Sequence, residues 1–184
     1  MQVLEKPVGI AVVPSRDGGP SIERETGLLV CHRLDRETSG CLVMARTPEG
    51  QRALSQAFAE GRIQKEYLAI IVGHVPASGE IDVPLGEWKR GRVQIGTGRA
   101  AKTRFEVRWR TKGRAGVLVS PLTGRTHQIR AHFSTLNAPL LGDPTYGGPA
   151  ADRLYLHAWR VRLPSFDGEP ETWVTSPIPP GFDG

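Results

Sequence analysis

Two stretches of this chain hold side chains able to carry reactivity. In "CHRLDRETSG", residues 31–40, Asp35 stands between Arg33 and Arg36. In "LTGRTHQIRAH", residues 122–132, Arg125, His127, Gln128, Arg130 and His132 lie close together. A carboxylate can act as nucleophile or proton carrier when it is held ionised, out of bulk water, beside its target. A fixed arginine does this best, because a guanidinium forks onto a carboxylate and favours its charged form. Taken alone, Asp35 is a salt-bridged or turn-capping aspartate, since "LDRETSG" is rich in residues that hydrogen-bond their own backbone. Arg130 is a candidate partner from far along the chain, which spacing alone does not establish. His127 and His132 are five apart, so they diverge around a helix and do not form an H-x-x-x-H metal pair. The glycines of "GGP" and "GTG" lack a P-loop lysine, and no G-x-S-x-G elbow offers a serine nucleophile. No metal and no cofactor are implied.

Two helices and a set of strands must position these residues. "TPEGQRALSQAFAEG" predicts a helix capped by Thr47, opened by Pro48 and ended by Gly61, with Leu54, Ala57 and Phe58 buried. "GRTHQIRAHFSTLN" predicts a second, opened by Gly124. At roughly 100° per residue, Ile129, Phe133 and Leu136 face inward. His127, Arg130 and Ser134 share a separate polar side, which keeps Arg130 out of the core. Strands are predicted at 3–4, 28–30, 41–45, 67–72, 92–95, 103–109, 117–119 and 159–163. In "KTRFEVRWRT", Phe105, Val107 and Trp109 alternate with charged residues, placing the apolar set on one sheet face. The pattern is α+β, a mostly antiparallel, twisted mixed sheet flanked by helices.

The 184 residues are read as one domain, with a proline-rich tail over about 176–184 expected to fray. Two cysteines, Cys31 and Cys41, without C-x-x-C spacing point to a reducing, cytoplasmic setting. No segment has the roughly 18 apolar residues of a membrane span. A monomer is the default. From Lys89 to Arg130 there are twelve basic residues, and Glu106 is the one acid among them. Such a one-signed stretch fits a polyanion partner.

"HRLDRETSG" resembles the H-R-L-D-x-x-T-S-G signature of the RluA-like RNA pseudouridine synthases. Further elements match in order: Lys6, Pro7 and Gly9 in "EKPVG", Lys65 and Tyr67 in "KEYLA", then "LTGRTHQIRAH", "LLGDPTYGG" and "LHAWRVRLP". The resemblance implies a pseudouridine synthase fold with a cleft across its sheet. It also implies an isomerase that detaches a uracil from C1′ of its ribose, rotates it and rejoins it through C5. By the family pattern Asp35 is the catalytic aspartate, as nucleophile or as acid/base, with Arg130 its ion-pair partner and Tyr67 against the uracil ring. Arg33, Thr38, Lys65, Arg125 and Gln128 are expected to meet RNA, with Arg36 left toward solvent. The reaction consumes nothing, so no cofactor is implied. Flipping of the target base is required. The expected partner is an rRNA or tRNA stem-loop. No S4-type module precedes the motifs, so RNA binding is expected from the Lys89–Arg130 region. "VVPS" departs from the family, which often has a histidine before that proline. The competing class is a catalytically silent RNA-binding relative, which the presence of Asp35, Tyr67 and Arg130 disfavours. A carboxylate-based glycoside hydrolase needs a second carboxylate within roughly 5–10 Å, and neither Asp143 nor Asp152 shows a partner pattern.

Overall fold

Thr47 ends an extended segment and turns it into a helix by accepting from the Gly50 amide at 3.2 Å. That start is the one predicted, and it is typical of how closely local chemistry sets the elements here. The structure is a computed structural model that describes residues 1–15, 18–165 and 170–183. Its described residues form an α+β fold in two compact units, divided inside two strands, after Lys65 and after His157.

The first unit takes Met1–Lys65 and Ala158–Pro177. Strand β1 (Gln2–Lys6) pairs antiparallel with β3 (Ser39–Ala45), from Gln2↔Met44 to Lys6↔Gly40. The short β2 (Leu29–Val30) pairs with the far end of β3. Helix α1 (Ile22–Thr26) was not predicted; α2 (Pro48–Ala59) was, with Leu54 and Ala57 buried. Every residue of β3 is buried, which is why its "CLVMA" run is apolar without alternation. Cys41, Val43 and Ala45 pack with Leu54, Ala57 and Ile63, and with Val161 and Leu163 of the strand over Leu156–Leu163. Both cysteines are free thiols.

The second unit takes Glu66–His157 and the described residues from Ile178 onward. Strand β4 (Gln64–Val72) is followed by β5 (Ser78–Asp82), β6 (Leu85–Lys89), β7 (Arg92–Ile95), β8 (Lys102–Thr111) and β9 (Arg114–Pro121). Four of them lie in the antiparallel order β4-β9-β8-β5, while β6 and β7 form a separate hairpin. The chain then forms α3 (Gln128–Thr135) and ends its regular structure with β10 (Leu156–Leu163) and β11 (Thr172–Thr175). Ala69, Ile71, Phe105, Val117 and Val119 meet Ile129 and Phe133 of α3 in the largest core cluster of this unit.

Three expectations are corrected. Phe105 and Val107 face that cluster, but Trp109 does not: a β-bulge between Val107 and Trp109 adds one residue and reverses the parity of the strand. The indole lies instead with Ile70, Leu141 and Phe182, over Gly116, where a Cβ would run into its ring. Helix α3 is shorter than predicted, and Leu136 is its exposed C-cap. The tail is held at Phe182, which is 6 % exposed and whose carbonyl accepts from Trp109 Nε1 at 3.0 Å; Gly184 lies outside the described residues.

Candidate active site

Asp35 opens a turn closed by the Thr38 amide, which donates to the Asp35 carbonyl at 3.1 Å. Arg36 and Glu37 form its exposed tip, and Asp35 itself is half-buried. The turn is pinned from below by Lys6, whose side chain is wholly buried. Its Nζ donates to the carbonyls of Pro7 (2.8 Å), Ile10 (2.8 Å) and Arg36 (2.9 Å). Three acceptors match the three protons of an ammonium. Burial lowers the Lys6 pKa to about 8, against the opposing pull of Glu37 and Asp35, so the ammonium persists at neutral pH. Arg36, expected to point only to solvent, donates from Nε to Gly9 O at 2.8 Å, and the Gly9 amide returns a bond to Arg36 O. The "KPVG" and "LDRE" segments are thus one locked unit. Gly40 completes it: a Cβ there would fall onto the carbonyl of Ala158, and its φ of 111° suits only glycine.

Histidine 32 anchors the same loop from its other end. Strand β2 stops at Val30, and the imidazole takes over as acceptor, receiving the Val43 amide at Nε2 (2.9 Å). The ring lies 4.2 Å from that of Phe58. Burial first, then the charge of Lys65, pushes its pKa down to about 3. The folded state therefore binds fewer protons than the unfolded one below the ordinary value near 6.5. Stability falls as pH drops from about 6.5 toward 3, by about 2 kcal/mol at pH 5. Urea unfolding at pH 7 and pH 5 checks this. The wild type should lose that increment relative to His32→Gln, whose amide oxygen can still accept from Val43. An equal loss in both proteins would contradict it.

Lys65 is half-buried and its pKa is lowered by desolvation. Two residues on, Tyr67 pairs with Val119 and packs its half-buried ring against the cluster of Ala69, Val117 and Val119. Arg33 is exposed and makes no hydrogen bond or ion pair among the described residues. Thr38 is buried, and its Oγ1 has no hydrogen-bond partner among the described residues.

Arg130 departs furthest from expectation. It is buried, 7 % exposed, on the first turn of α3. Its Nε and Nη2 donate to the two carboxylate oxygens of Asp143, at 2.7 and 2.8 Å, and Asp143 is wholly buried. The arginine has left its polar face for a paired interior position. Its guanidinium also lies 5.3 Å from the Tyr146 ring centroid, and Nη1 is 3.0 Å from His127 Nε2. Arginine has no lone pair, so that contact requires an unprotonated Nε2 with the ring proton on Nδ1. Nδ1 in turn faces the Tyr146 hydroxyl at 3.3 Å, which accepts from the Val93 amide at 3.1 Å. "LLGDPTYGG" therefore supplies two groups to Arg130, the carboxylate of Asp143 and the ring of Tyr146. The turn Pro144–Tyr146 between them brings both to the same guanidinium.

Gln128 is used inside the protein. Its Oε1 accepts from Thr123 Oγ1 and the Arg125 amide, and its Nε2 donates to Lys102 O and Thr103 Oγ1. It shapes the "TGRTH" loop from within, a role that no sequence spacing announced. Arg125 donates from Nε to Ala100 O and has Arg99 as a like-charged neighbour. Within the basic stretch, Lys102 and Arg104 pair with Glu80 and Asp82 of β5 or with Glu80 alone, and Arg108 pairs with Glu106.

A family model for RNA pseudouridylate synthase matches residues 1–135. The chain belongs to the RluA-like RNA pseudouridine synthases.

An RNA pseudouridine synthase of Zymomonas mobilis is 38 % identical over 98 % of this chain and 90 % of its own length. The dual-specificity RNA pseudouridine synthase RluA of Escherichia coli is 37 % identical over 86 % of this chain and 80 % of its own. A ribosomal large subunit pseudouridine synthase D of Xanthomonas campestris is 36 % identical, and the match covers 49 % of that protein. Among solved structures, human RNA pseudouridylate synthase domain containing 4 superposes with a TM-score of 0.80 at 26 % identity, over 98 % of this chain and 86 % of that one. Family membership makes the chain an isomerase acting on RNA.

The family resemblance singled out Asp35, Tyr67 and Arg130, while the sequence analysis gave Lys6 and Asp143 no working role. A signal for each was present. Lys6 is the only cation of an otherwise apolar K-P-x-G turn, and Asp143 precedes a proline three residues before a tyrosine.

Proposed function

We propose that this synthase isomerises uridines in a ribosomal or transfer RNA stem-loop, with Asp35 as the catalytic carboxylate. The observation that carries the reading is the Asp35 turn itself, matched to the family signature and tied at Arg36 O to a buried ammonium that also holds Pro7 O and Ile10 O. The N1–C1′ bond of a flipped uridine breaks, and a C5–C1′ bond forms after the base rotates. The C5 proton leaves and N1 regains one, so the sum of atoms is unchanged. Asp35 engages the ribose as nucleophile or as the acid/base of a glycal route. Arg130 acts as its ion-pair partner, as the resemblance implies, and Tyr67 offers a flat face and a hydroxyl to the uracil. Arg33, Lys65 and Arg125 meet the backbone. Ribosomal RNA is supported by the names of relatives.

The test is to incubate the protein with ribosomal and transfer RNA from cells lacking its gene and to map new pseudouridines by chemical labelling. A few new sites at unpaired or loop uridines are expected. If neither RNA pool gains a site, the substrate assignment fails and the silent RNA-binding class takes its place.

A further inference from the structure

Trp88, at 53 %, is the most exposed large apolar side chain among the described residues. It stands near the end of β6, beside the tip of the β6–β7 hairpin, where Lys89 pairs with Arg92 across a two-residue turn of Arg90 and Gly91. The side chains of Lys89, Arg90 and Arg92 make no hydrogen bond or ion pair among the described residues. Most other basic residues of the same stretch are occupied by carboxylates or carbonyls.

The turn is built at a conformational cost. Arg90 has φ 53° and Gly91 has φ 81°, so both are left-handed. Such hairpin turns favour Asn, Asp or Gly, and an arginine there is disfavoured by its Cβ. Among the described residues, only Arg90, His127 and Asn137 are non-glycine residues in this conformation. Two of the three bracket Trp88, because His127 lies beside the indole with ring centroids 4.8 Å apart and planes at 87°. The same His127 contacts Arg130. Strained backbone that the fold does not require concentrates at functional positions. An exposed indole followed directly in the hairpin by cations without side-chain partners does little for the fold, but a stacking platform with phosphate partners near it is the combination that holds single-stranded nucleic acid.

We propose that the β6–β7 hairpin is an RNA-contacting element in which an unpaired nucleobase stacks on Trp88 and adjoining phosphates pair with Lys89, Arg90 and Arg92. This rests on the reading of the chain as an RNA-modifying enzyme. It goes beyond that reading by naming the residues and by predicting a preference for unpaired RNA at this point. The base on Trp88 would sit one side chain away from the shell of Arg130, so the contact would select RNA whose unpaired nucleotides lie next to the uridine being isomerised.

The test uses labelled oligouridine and a duplex RNA of equal length, bound to the full chain over a salt series. Trp88→Ala should weaken oligouridine binding about 10-fold, with an unchanged salt slope and melting temperature, while Trp88→Phe retains most of the affinity. Duplex binding should change little. The triple variant Lys89→Gln, Arg90→Gln, Arg92→Gln should reduce the salt slope by about 2. Arg90→Gly should bind more weakly while melting at the same or a higher temperature. A Trp88→Ala effect under 2-fold, or an equal loss for duplex, overturns the stacking contact. An unchanged salt slope in the triple variant, or unaltered affinity in Arg90→Gly, overturns the phosphate contacts. Pseudouridine mapping separates this from the isomerase reading. If no RNA is modified yet oligouridine binding depends on Trp88, the isomerase reading fails and the hairpin stands. If RNA is modified and binding ignores Trp88, the hairpin fails and the isomerase reading stands.

Discussion

Asp35→Asn is expected to abolish pseudouridine formation, lowering the rate by about 10⁴-fold or more, while folding and RNA affinity persist. The side chains are nearly the same size, and the backbone bonds of the turn do not use the carboxylate. The Thr38 amide bonds to the backbone carbonyl of residue 35, and Lys6 bonds to the carbonyl of Arg36. Any loss of activity in a folded Asp35→Asn protein is therefore chemical, because an amide neither attacks C1′ as an anion nor shuttles the proton of a glycal route. The measurement is single-turnover conversion of a mapped substrate, alongside thermal melting and RNA binding. Activity within about 10-fold of wild type would remove Asp35 from the reaction. A variant that fails to melt cooperatively would show instead that the carboxylate has a structural duty, and Asp35→Glu would then separate charge from shape.

The second large effect is expected at Asp143, an acid to which the sequence analysis assigned no role. Asp143→Ala leaves the guanidinium of Arg130 buried beside a vacated site, and breaking one side of a buried pair costs about 3–5 kcal/mol. For a chain of this size that is a fall of roughly 6–20 °C in melting temperature. Activity should fall with it, because Arg130 loses both fork contacts that fix its plane. Asp152 is exposed and, among the described residues, bonds the Tyr155 hydroxyl, so Asp152→Ala should stay within about 1 kcal/mol of wild type. The double variant Arg130→Met, Asp143→Leu separates the two roles. Filling the site with apolar groups should restore much of the stability but none of the catalysis. If Asp143→Ala melts within about 2 °C of wild type, the pair does not carry that energy.

Much of this was legible in the chain because it was local. The capping threonine of α2, its proline start, and the apolar β3 run all follow from near neighbours, and each lies where it was expected. Arg130 was located in sequence but misjudged in environment. A helical wheel sorts faces by polarity, and a fully paired arginine is polar by type yet interior by position. What buried it is Asp143, from a turn that no periodicity connects to α3. Trp109 failed for a related reason: strict alternation assumes one residue per pleat, and a single bulge residue inverts everything after it. Lys6 shows the reverse. A lysine in a short motif suggests solvent or phosphate, but three backbone carbonyls have turned it into an internal support.

The division of the chain into units has a consequence for how the molecule is made. The first unit draws on Met1–Lys65 and then on Ala158–Pro177, with the contiguous span Glu66–His157 assigned to the second. During synthesis β1, β2, β3 and α2 emerge early, yet Val161 and Leu163, which complete their core, arrive only after that whole intervening span. Closing so long a loop as loose chain is entropically unfavourable, and contacts of such separation slow folding. If the intervening span folds first, it shortens the effective loop before the late strands arrive. Completion of the first unit's core therefore waits on the late strand that carries Val161 and Leu163.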